Sequence, residues 1–219
     1  MIILVLAVFG LILGSFVNAL VYRVHEQSKP RKKSQKDLSI VRGRSICTHC
    51  KHELAPKDLI PVISWLWLRG RCRYCHKPIS WQYPLVETLT AVLFVVSYLF
   101  WPQAWDALGI VNFVAWLVML AGFMALIVYD IRWMLLPNRI IYPLMVLALL
   151  LATVNVAAGG SLVALGSLLA SVAIAGGIFY ALFAISGGRW IGGGDVNLGA
   201  LIGLLLADPS LSFFMLLLA

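Results

Sequence analysis

The chain has 219 residues, of which 62% are hydrophobic and 12% are charged, and its mean hydropathy is +0.94. A soluble domain is about 45–50% apolar, so this composition excludes an ordinary soluble enzyme and predicts a protein that crosses a membrane several times. Fourteen of the 17 Lys and Arg residues, all four His and all four Cys lie between Arg23 and Lys77. With four acidic residues in the same stretch, this insert carries a net charge of +10, whereas the rest of the chain carries −2.

Hydrophobic runs of the length that crosses a bilayer, about 17–25 residues, predict an all-α polytopic fold with about six transmembrane helices. The runs are Ile2–Tyr22, Pro84–Trp101, Ile110–Tyr129, Ile140–Ala157, Leu162–Ile185 and Leu198–Ala219. Asp208 and Pro209 interrupt the last run. We therefore expect residues 1–22 to form the first transmembrane helix, residues 23–83 a polar insert, and residues 84–219 a membrane bundle.

The order of the charges predicts the orientation of the chain. No basic residue precedes the first run, and the positive charge begins after it, at Arg23, which is not the pattern of a secretory signal. Basic loops stay in the cytoplasm, so we expect the N-terminus outside and the insert inside. Counting the spans forward then places Asp130 and Asp195 at the cytoplasmic face as well. The remaining cations also fall on that face: Arg132, Arg139 and Arg189.

Two CxxC pairs in the insert, Cys47/Cys50 and Cys72/Cys75, are separated by 21 residues. Paired thiolates at this spacing are typical of a tetrahedral four-cysteine zinc site in a small zinc-ribbon-like module, where the closed coordination makes the metal structural. A cytoplasmic location argues against disulfides. Three neighbouring histidines are alternative ligands, although solvated loop histidines are the simpler interpretation: His49, His52 and His76.

Two other segments of the insert have an expected environment. The basic stretch Lys29–Lys36 is predicted to be attracted to anionic lipid, and no nucleic-acid partner is expected. Leu59–Leu68 is apolar and aromatic but too short to span a bilayer. It is either the small core of the zinc module or an interfacial segment.

Two aspartates interrupt the hydrophobic half of the chain. Asp130 ends one apolar run, and Asp195 follows three glycines directly before another. Ionisable groups at such positions are costly, so a functional site is the default hypothesis, and a carboxyl pair is the minimum for acid–base hydrolysis of a peptide bond. Each also has a structural alternative: Asp195 as a helix cap, and Asp130 as a partner of Arg132. Which of the two would act as acid and which as base stays open.

The glycines beside Asp195 and a third acid complete the candidate groups. Gly192, Gly193 and Gly194 lie in a loop and could let an extended substrate strand lie beside the carboxylate. The pairs Gly10/Gly14 and Gly199/Gly203 are better explained by close helix packing. Glu87 is either a structural partner for nearby cations or part of a second site.

Together these motifs resemble the type IV prepilin peptidases, the membrane aspartic proteases of the GxGD group. The resemblance covers nearly the whole chain and follows an ordered set of motifs. These are Gly14-Ser-Phe-Val-Asn18 to Arg23, the two CxxC pairs with Pro61–Arg71 between them, Ile79–Glu87, Asp130 followed by Leu136-Pro-Asn138, and Gly192-Gly-Gly-Asp195.

The resemblance implies that Asp130 and Asp195 are the catalytic pair, and that prepilins and pseudopilins are cleaved at the cytoplasmic face of the bacterial inner membrane, after a glycine. It also implies N-methylation of the new N-terminus with S-adenosylmethionine.

Three departures stand out: Asn138 where many members have Asp, Asn197 where Lys is frequent, and an earlier chain end. The alternatives are a GxGD intramembrane protease with non-pilin substrates and a non-enzymatic transporter or assembly scaffold.

Overall fold

The computed structural model describes residues 1–29, 44–159 and 161–218, so the basic stretch beyond Lys29 lies outside the described residues. The described chain is helical, with two isolated β-bridges in the insert. A 3-10 turn covers Pro56–Asp58. The helices are α1 Ile2–Ser28, α2 Ile63–Trp67, α3 Gln82–Leu99, α4 Ala107–Trp133, α5 Asn138–Gly159, α6 Leu162–Ser186, α7 Gly193–Leu206 and α8 Pro209–Leu218.

Five of these helices, α1, α3, α4, α5 and α6, are long and apolar enough to cross a membrane, which confirms a multi-pass helical membrane protein. The sixth hydrophobic run is divided into α7 and α8 at the predicted interruption. Ala207 ends α7 in a left-handed conformation, and Asp208 Oδ1 accepts hydrogen bonds from the backbone N–H groups of Ser210 and Leu211 at the start of α8. The acid therefore caps the second segment.

The chain divides into two compact units, and the first is Met1–Val128. Within it, α1 and α3 approach closely through glycines: a Cβ on Gly10 would lie 2.6 Å from Ala91 Cα, and one on Gly14 would lie 2.6 Å from Glu87 Cα. The packing interpretation of this glycine pair is confirmed. Buried Asn18 joins the same two helices, because its Nδ2 donates to the backbone oxygen of Tyr83 at 3.3 Å.

The second unit is Tyr129–Ala219. Here α6 and α7 pack through the other glycine pair, since a Cβ on Gly199 would lie 2.6 Å from the oxygen of Ala175 and one on Gly203 would lie 2.8 Å from Val172 Cα. Small residues allow this approach where lipid provides no hydrophobic driving force between helices. The unit thus holds α7, which carries Asp195, firmly against α6.

Candidate active site and metal centre

The four cysteines of the insert converge on one point. The Sγ atoms of Cys47, Cys50, Cys72 and Cys75 all lie within 4.8 Å of one another, and the Cys47 and Cys75 sulfurs are 3.9 Å apart. Four thiolates around one centre match the tetrahedral donor set of a structural metal site. The group can therefore hold a metal such as zinc.

Each CxxC pair sits in a small hairpin, and the two hairpins are built alike. Cys47 N–H donates to the oxygen of His52 at 2.9 Å, and Cys72 N–H donates to the oxygen of Lys77 at 2.9 Å. The residue after each second cysteine has a positive φ, 59° at Lys51 and 55° at His76, which turns the chain back towards the first cysteine. Two short turns thereby present two thiols each without a large core.

The thiols have unequal proton affinities. Burial alone would raise the pKa of Cys47, but hydrogen bonds from the backbone N–H groups of Cys50 and His49 and from neighbouring thiols outweigh it and bring that pKa down to about 7. At Cys75 a backbone hydrogen bond from Lys77 lowers the pKa, yet burial and the other three thiols prevail and raise it to about 11. Four adjacent thiols thus resist full ionisation by themselves, and a bound cation would remove that resistance.

The neighbouring histidines stand outside this cluster in the described chain. His52 uses Nδ1 in a 2.6 Å contact with the oxygen of Glu53 and stacks its ring on Tyr74, with the centroids 3.8 Å apart. His52 therefore joins the two hairpins by packing. Asp58 links the 3-10 turn Pro56–Asp58 to the second hairpin, because its carboxylate accepts from Arg73 Nε at 2.7 Å and from the Tyr74 hydroxyl at 3.2 Å.

Glu87 is a structural partner of the insert. Its side chain is buried in α3, and its Oε2 accepts the backbone N–H of Val62 at 2.7 Å. Glu87 therefore has a structural role, but its partner here is a backbone N–H group and not one of the nearby cations considered from the sequence, and the bond ties the insert to a membrane helix. Half of the apolar segment Leu59–Leu68 is exposed and half is partly buried. Its partly buried Trp65 packs on Trp81, with the ring centroids 4.1 Å apart.

Asp130 lies in the last turn of α4 and is exposed. Its backbone oxygen accepts the N–H of Met134 at 2.7 Å, so the helix ends one turn after the aspartate, as the sequence suggests. The guanidinium of Arg132 lies over the ring of Trp133 at 5.3 Å. Pairing of Arg132 with Asp130, the structural alternative considered from the sequence, therefore competes with the contact between Arg132 and Trp133.

Asp195 lies inside the first turn of α7, three residues after the N-cap Gly192. Its Oδ2 accepts the backbone N–H of Gly192 at 2.9 Å, and its own N–H donates to the oxygen of Gly192 at 3.1 Å. The alternative that Asp195 caps the helix is confirmed in kind, although its carboxylate acts from the first turn of α7 and not from the residue before the helix. The expectation that all three glycines lie in a loop is wrong, because Gly193 and Gly194 begin α7. The Asp195 carboxylate stabilises that helix end, where the dipole favours negative charge.

A short connector joins α4, the helix that bears Asp130, to α5, and it packs on the start of α7, the helix that bears Asp195. Residues 134–137 follow α4, and Leu136 packs on Gly194 so closely that a Cβ on the glycine would lie 2.8 Å from Leu136 Cβ. One residue after the connector, Asn138 Oδ1 accepts the side-chain N–H of Asn197 at 3.1 Å. The structure thus brings the segment after Asp130 against the residues on either side of Asp195.

Sequence reasoning identified Asn138 and Asn197 as departures from the family pattern but missed that they are partners. No feature of a single sequence links two positions 59 residues apart, so the structure was needed to pair them. Gly193 and Gly194, which follow the N-cap Gly192, differ in their surroundings. A Cβ on Gly193 would have no atom within 4 Å, whereas Leu136 occupies the space beside Gly194. Open space for a substrate strand therefore exists at Gly193 and not at Gly194.

Comparison with known proteins gives two family matches that cover most of the chain. Residues 8–101 match the Bacterial Peptidase A24 N-terminal domain, and residues 117–219 match the Type IV leader peptidase family. No solved structure matches the chain.

Several curated relatives align over long stretches. A prepilin leader peptidase/N-methyltransferase of Aeromonas hydrophila is 32% identical over 95% of this chain and 74% of its own length, and one of Bacillus subtilis is 33% identical over 95% and 75%. One of Pectobacterium carotovorum is 37% identical over 66% of this chain. The chain spans about half, 54%, of that relative's length. With both family domains matched in order and relatives aligned over three quarters of their length, the chain belongs to the type IV leader peptidase family.

Proposed function

We propose that the chain is a membrane aspartic endopeptidase that removes the leader of type IV prepilins and pseudopilins after a glycine, with Asp130 and Asp195 as its catalytic pair. The observation that carries the proposal is the packing of the connector after Asp130 on Gly194, directly before Asp195. Relatives named prepilin leader peptidase/N-methyltransferase supply the substrate class.

The chemistry needs one ionised and one protonated carboxyl group. The ionised group removes a proton from water as its oxygen attacks the scissile carbonyl carbon, while the protonated group donates its proton to the carbonyl oxygen. The tetrahedral intermediate then collapses: the C–N bond breaks, the nitrogen takes up the proton held by the first carboxyl, and the hydroxyl proton returns to the second. Both carboxyl groups end as they began.

The glycines at the start of α7 give the substrate a place beside Asp195. An extended peptide needs close access to a carboxylate, and Gly193 has no atom within 4 Å of a hypothetical Cβ. The exposed position of Asp130 and the half-buried position of Asp195 are compatible with access of both peptide and water.

For the four cysteines we propose a structural zinc ion. Cys47, Cys50, Cys72 and Cys75 supply the four thiolates, and the closed donor set leaves no position for a catalytic water. Bound zinc would add folding free energy to the two hairpins.

We also propose N-methylation of the new N-terminal amine with S-adenosylmethionine, on the strength of the relatives' names. The cofactor would supply an activated methyl group to that amine. We assign no residue of this chain to its binding.

The proposed location is the bacterial cytoplasmic (inner) membrane, with the N-terminus outside and with the insert and both aspartates at the cytoplasmic face. The charge of +10 on the insert supports this orientation. Membrane lipids and prepilin substrates are the partners that this location requires.

The deciding experiment is cleavage of a prepilin by the full chain in proteoliposomes. Asp130→Asn and Asp195→Asn should each lower kcat by about 10²-fold or more, because each removes one proton-transfer group. Asp106→Asn is the matched control: Asp106 Oδ1 caps the opposite end of α4 by accepting the Gly109 N–H at 2.7 Å, and asparagine preserves that acceptor. No cleavage by the wild type would favour a scaffold, and wild-type activity in both carboxyl variants would remove the pair from the mechanism. Cleavage of non-pilin peptides in preference to prepilins would favour the other protease interpretation.

A further inference from the structure

The insert exposes an apolar surface that neither the metal centre nor the carboxyl pair uses. Trp67 is 82% exposed, Trp81 72%, Leu66 61% and Ile63 57%. These four residues, called the tryptophan patch below, belong to α2 and to the residue before α3. Such a concentration of exposed apolar side chains in a non-spanning segment marks an interaction surface.

One hydrogen bond fixes the level of this patch along the membrane helices. Val62, which immediately precedes α2, donates its N–H to the buried carboxylate of Glu87. Glu87 is the sixth residue of α3, a helix apolar enough to span a bilayer, and with a rise of about 1.5 Å per residue it lies about 8 Å below the start of that helix. The start of α2 is therefore level with the second turn of a membrane span.

The contact between α1 and α3 also shows where the start of α3, next to Trp81 of the patch, lies along α1. Asn18 of α1 accepts from Gln82 Nε2 at 3.0 Å, so the first residue of α3 lies beside the middle of α1. The ten further residues of α1 after Asn18 extend past that point, and Tyr22 on this extension accepts a hydrogen bond from Lys51 of the first cysteine hairpin at 2.7 Å. The hairpin thus lies beside the α1 extension, whereas the patch lies beside the N-terminal end of α3.

The charges around the patch complement a lipid surface. Lys57, Arg69 and Arg71 are exposed beside it, while the acid in that segment, Asp58, is paired with Arg73. Tryptophan prefers the level of the lipid headgroups, and neighbouring cations are attracted to anionic lipid. Apolar tips flanked by exposed positive charge are the features of a segment that lies in the interface.

We propose that the tryptophan patch inserts into the lipid–water interface next to α3 and holds the part of the insert with the two cysteine hairpins on the membrane surface. This part, residues 44–80, is called the cysteine module below. The occupant of the patch is the anionic lipid bilayer. Two attachments then hold the insert at the N-terminal end of α3. One is the hydrogen bond between Glu87 and Val62 within the protein, and the other is the contact of the patch with lipid. The inference depends on the multi-pass architecture and not on the proposed peptidase reaction.

Site-specific photocrosslinking tests the occupant. The full chain carries p-benzoylphenylalanine at position 67, or at exposed Lys77 in the second cysteine hairpin as the matched control, and is reconstituted in vesicles of phosphatidylcholine and phosphatidylglycerol. After irradiation, mass spectrometry should find lipid adducts several-fold more often at position 67 than at position 77, with phosphatidylglycerol enriched among them.

Other products would overturn the proposal. A crosslink from position 67 to the second unit of the same chain or to a second copy would mean that protein covers the patch. Equal labelling at positions 67 and 77, or none at either, would mean that the patch does not lie in the lipid. Both variants should elute as the wild type does on size exclusion, which keeps misfolding separate from these outcomes.

Discussion

The side-chain amide of Asn197 donates to Oδ1 of Asn138 at 3.1 Å. This bond joins the first residue of α5 to the first turn of α7, two positions after Asp195. The Gly194–Leu136 contact lies on the other side of Asp195. The start of α7, which bears the proposed catalytic carboxylate, is therefore held on both sides of Asp195 by the segment that follows Asp130.

The amide pair should act as a positioning element for Asp195. Asn138→Ala and Asn197→Ala should each lower kcat for prepilin cleavage by about tenfold, because displacement of a reacting group by a fraction of an ångström is costly, while KM changes little. A double-mutant cycle should give a coupling of about 0.5–1.5 kcal/mol, the net value of one hydrogen bond.

A matched control and a rescue complete this test. Asn155→Ala removes another exposed asparagine from α5, whose side chain bonds to the oxygen of Leu151, and should leave kcat unchanged. The double variant Asn138→Asp/Asn197→Lys restores a bond in charged form and should recover activity. Strictly additive effects of the two alanine substitutions would contradict the pairing.

Alanine substitutions at two neighbouring glycines, Gly193 and Gly194, should differ in their effect on stability. Gly194→Ala would place a methyl group 2.8 Å from Leu136 Cβ, so the connector must move, and we expect a loss of about 1–3 kcal/mol, as for overpacking, and a lower kcat. Gly193→Ala meets nothing within 4 Å and should leave the thermal midpoint Tm unchanged. With substrate lying along the start of α7, Gly193→Ala should raise KM alone. Equal Tm values for both variants would show that Leu136 does not pack on Gly194.

The sequence predicted the membrane elements well because their signal is local. Hydrophobic length alone located five spans, and each Gly-x-x-x-Gly pair indicated a close helix contact that the structure contains. The convergence of the four cysteines was also predictable, because two knuckles of fixed spacing have few other arrangements.

The parts that the sequence did not predict depend on contacts between distant residues. The place of Asp195 inside α7 follows from its bond to Gly192, and a run of three glycines has too little helix propensity to indicate where the helix begins. Likewise, the role of Glu87 required knowledge of Val62, 25 residues away. Tertiary hydrogen bonds decide both cases.

Metal analysis should find one zinc ion per purified chain. Cys50→Ser should abolish stoichiometric zinc, since it removes one of four ligands within 4.8 Å of one another and serine is a poor zinc donor. His49→Ala alters an exposed neighbour outside the cluster and should retain the metal. Loss of zinc from the histidine variant, or full occupancy of the serine variant, would refute the four-cysteine site.

The two ion pairs of the cysteine module should differ in strength. Asp58 pairs with Arg73 at 2.7 Å with 3% of its side chain exposed, whereas Glu53 pairs with Arg44 at 3.0 Å with 48% exposed. Asp58→Asn should destabilise the module by about 2 kcal/mol, the value of charged hydrogen bonds, and speed zinc release to a chromogenic chelator by about 30-fold. Glu53→Gln should cost less than about 1 kcal/mol, as exposed pairs do.

The pH dependence of the Asp58 effect has a definite sign. Burial alone would raise the pKa of Asp58, but hydrogen bonds from Arg73 and Tyr74 and the Arg73 charge outweigh it and hold the pKa below its usual value. The pair therefore stabilises the module fully above the unfolded pKa of about 3.9, and this contribution is lost as the pH falls through the folded value. The ratio of zinc-release rates between Asp58→Asn and wild type should be constant from pH 7 to pH 5 and shrink only below about pH 4. A ratio that already shrinks between pH 7 and pH 5 would assign the effect to another group.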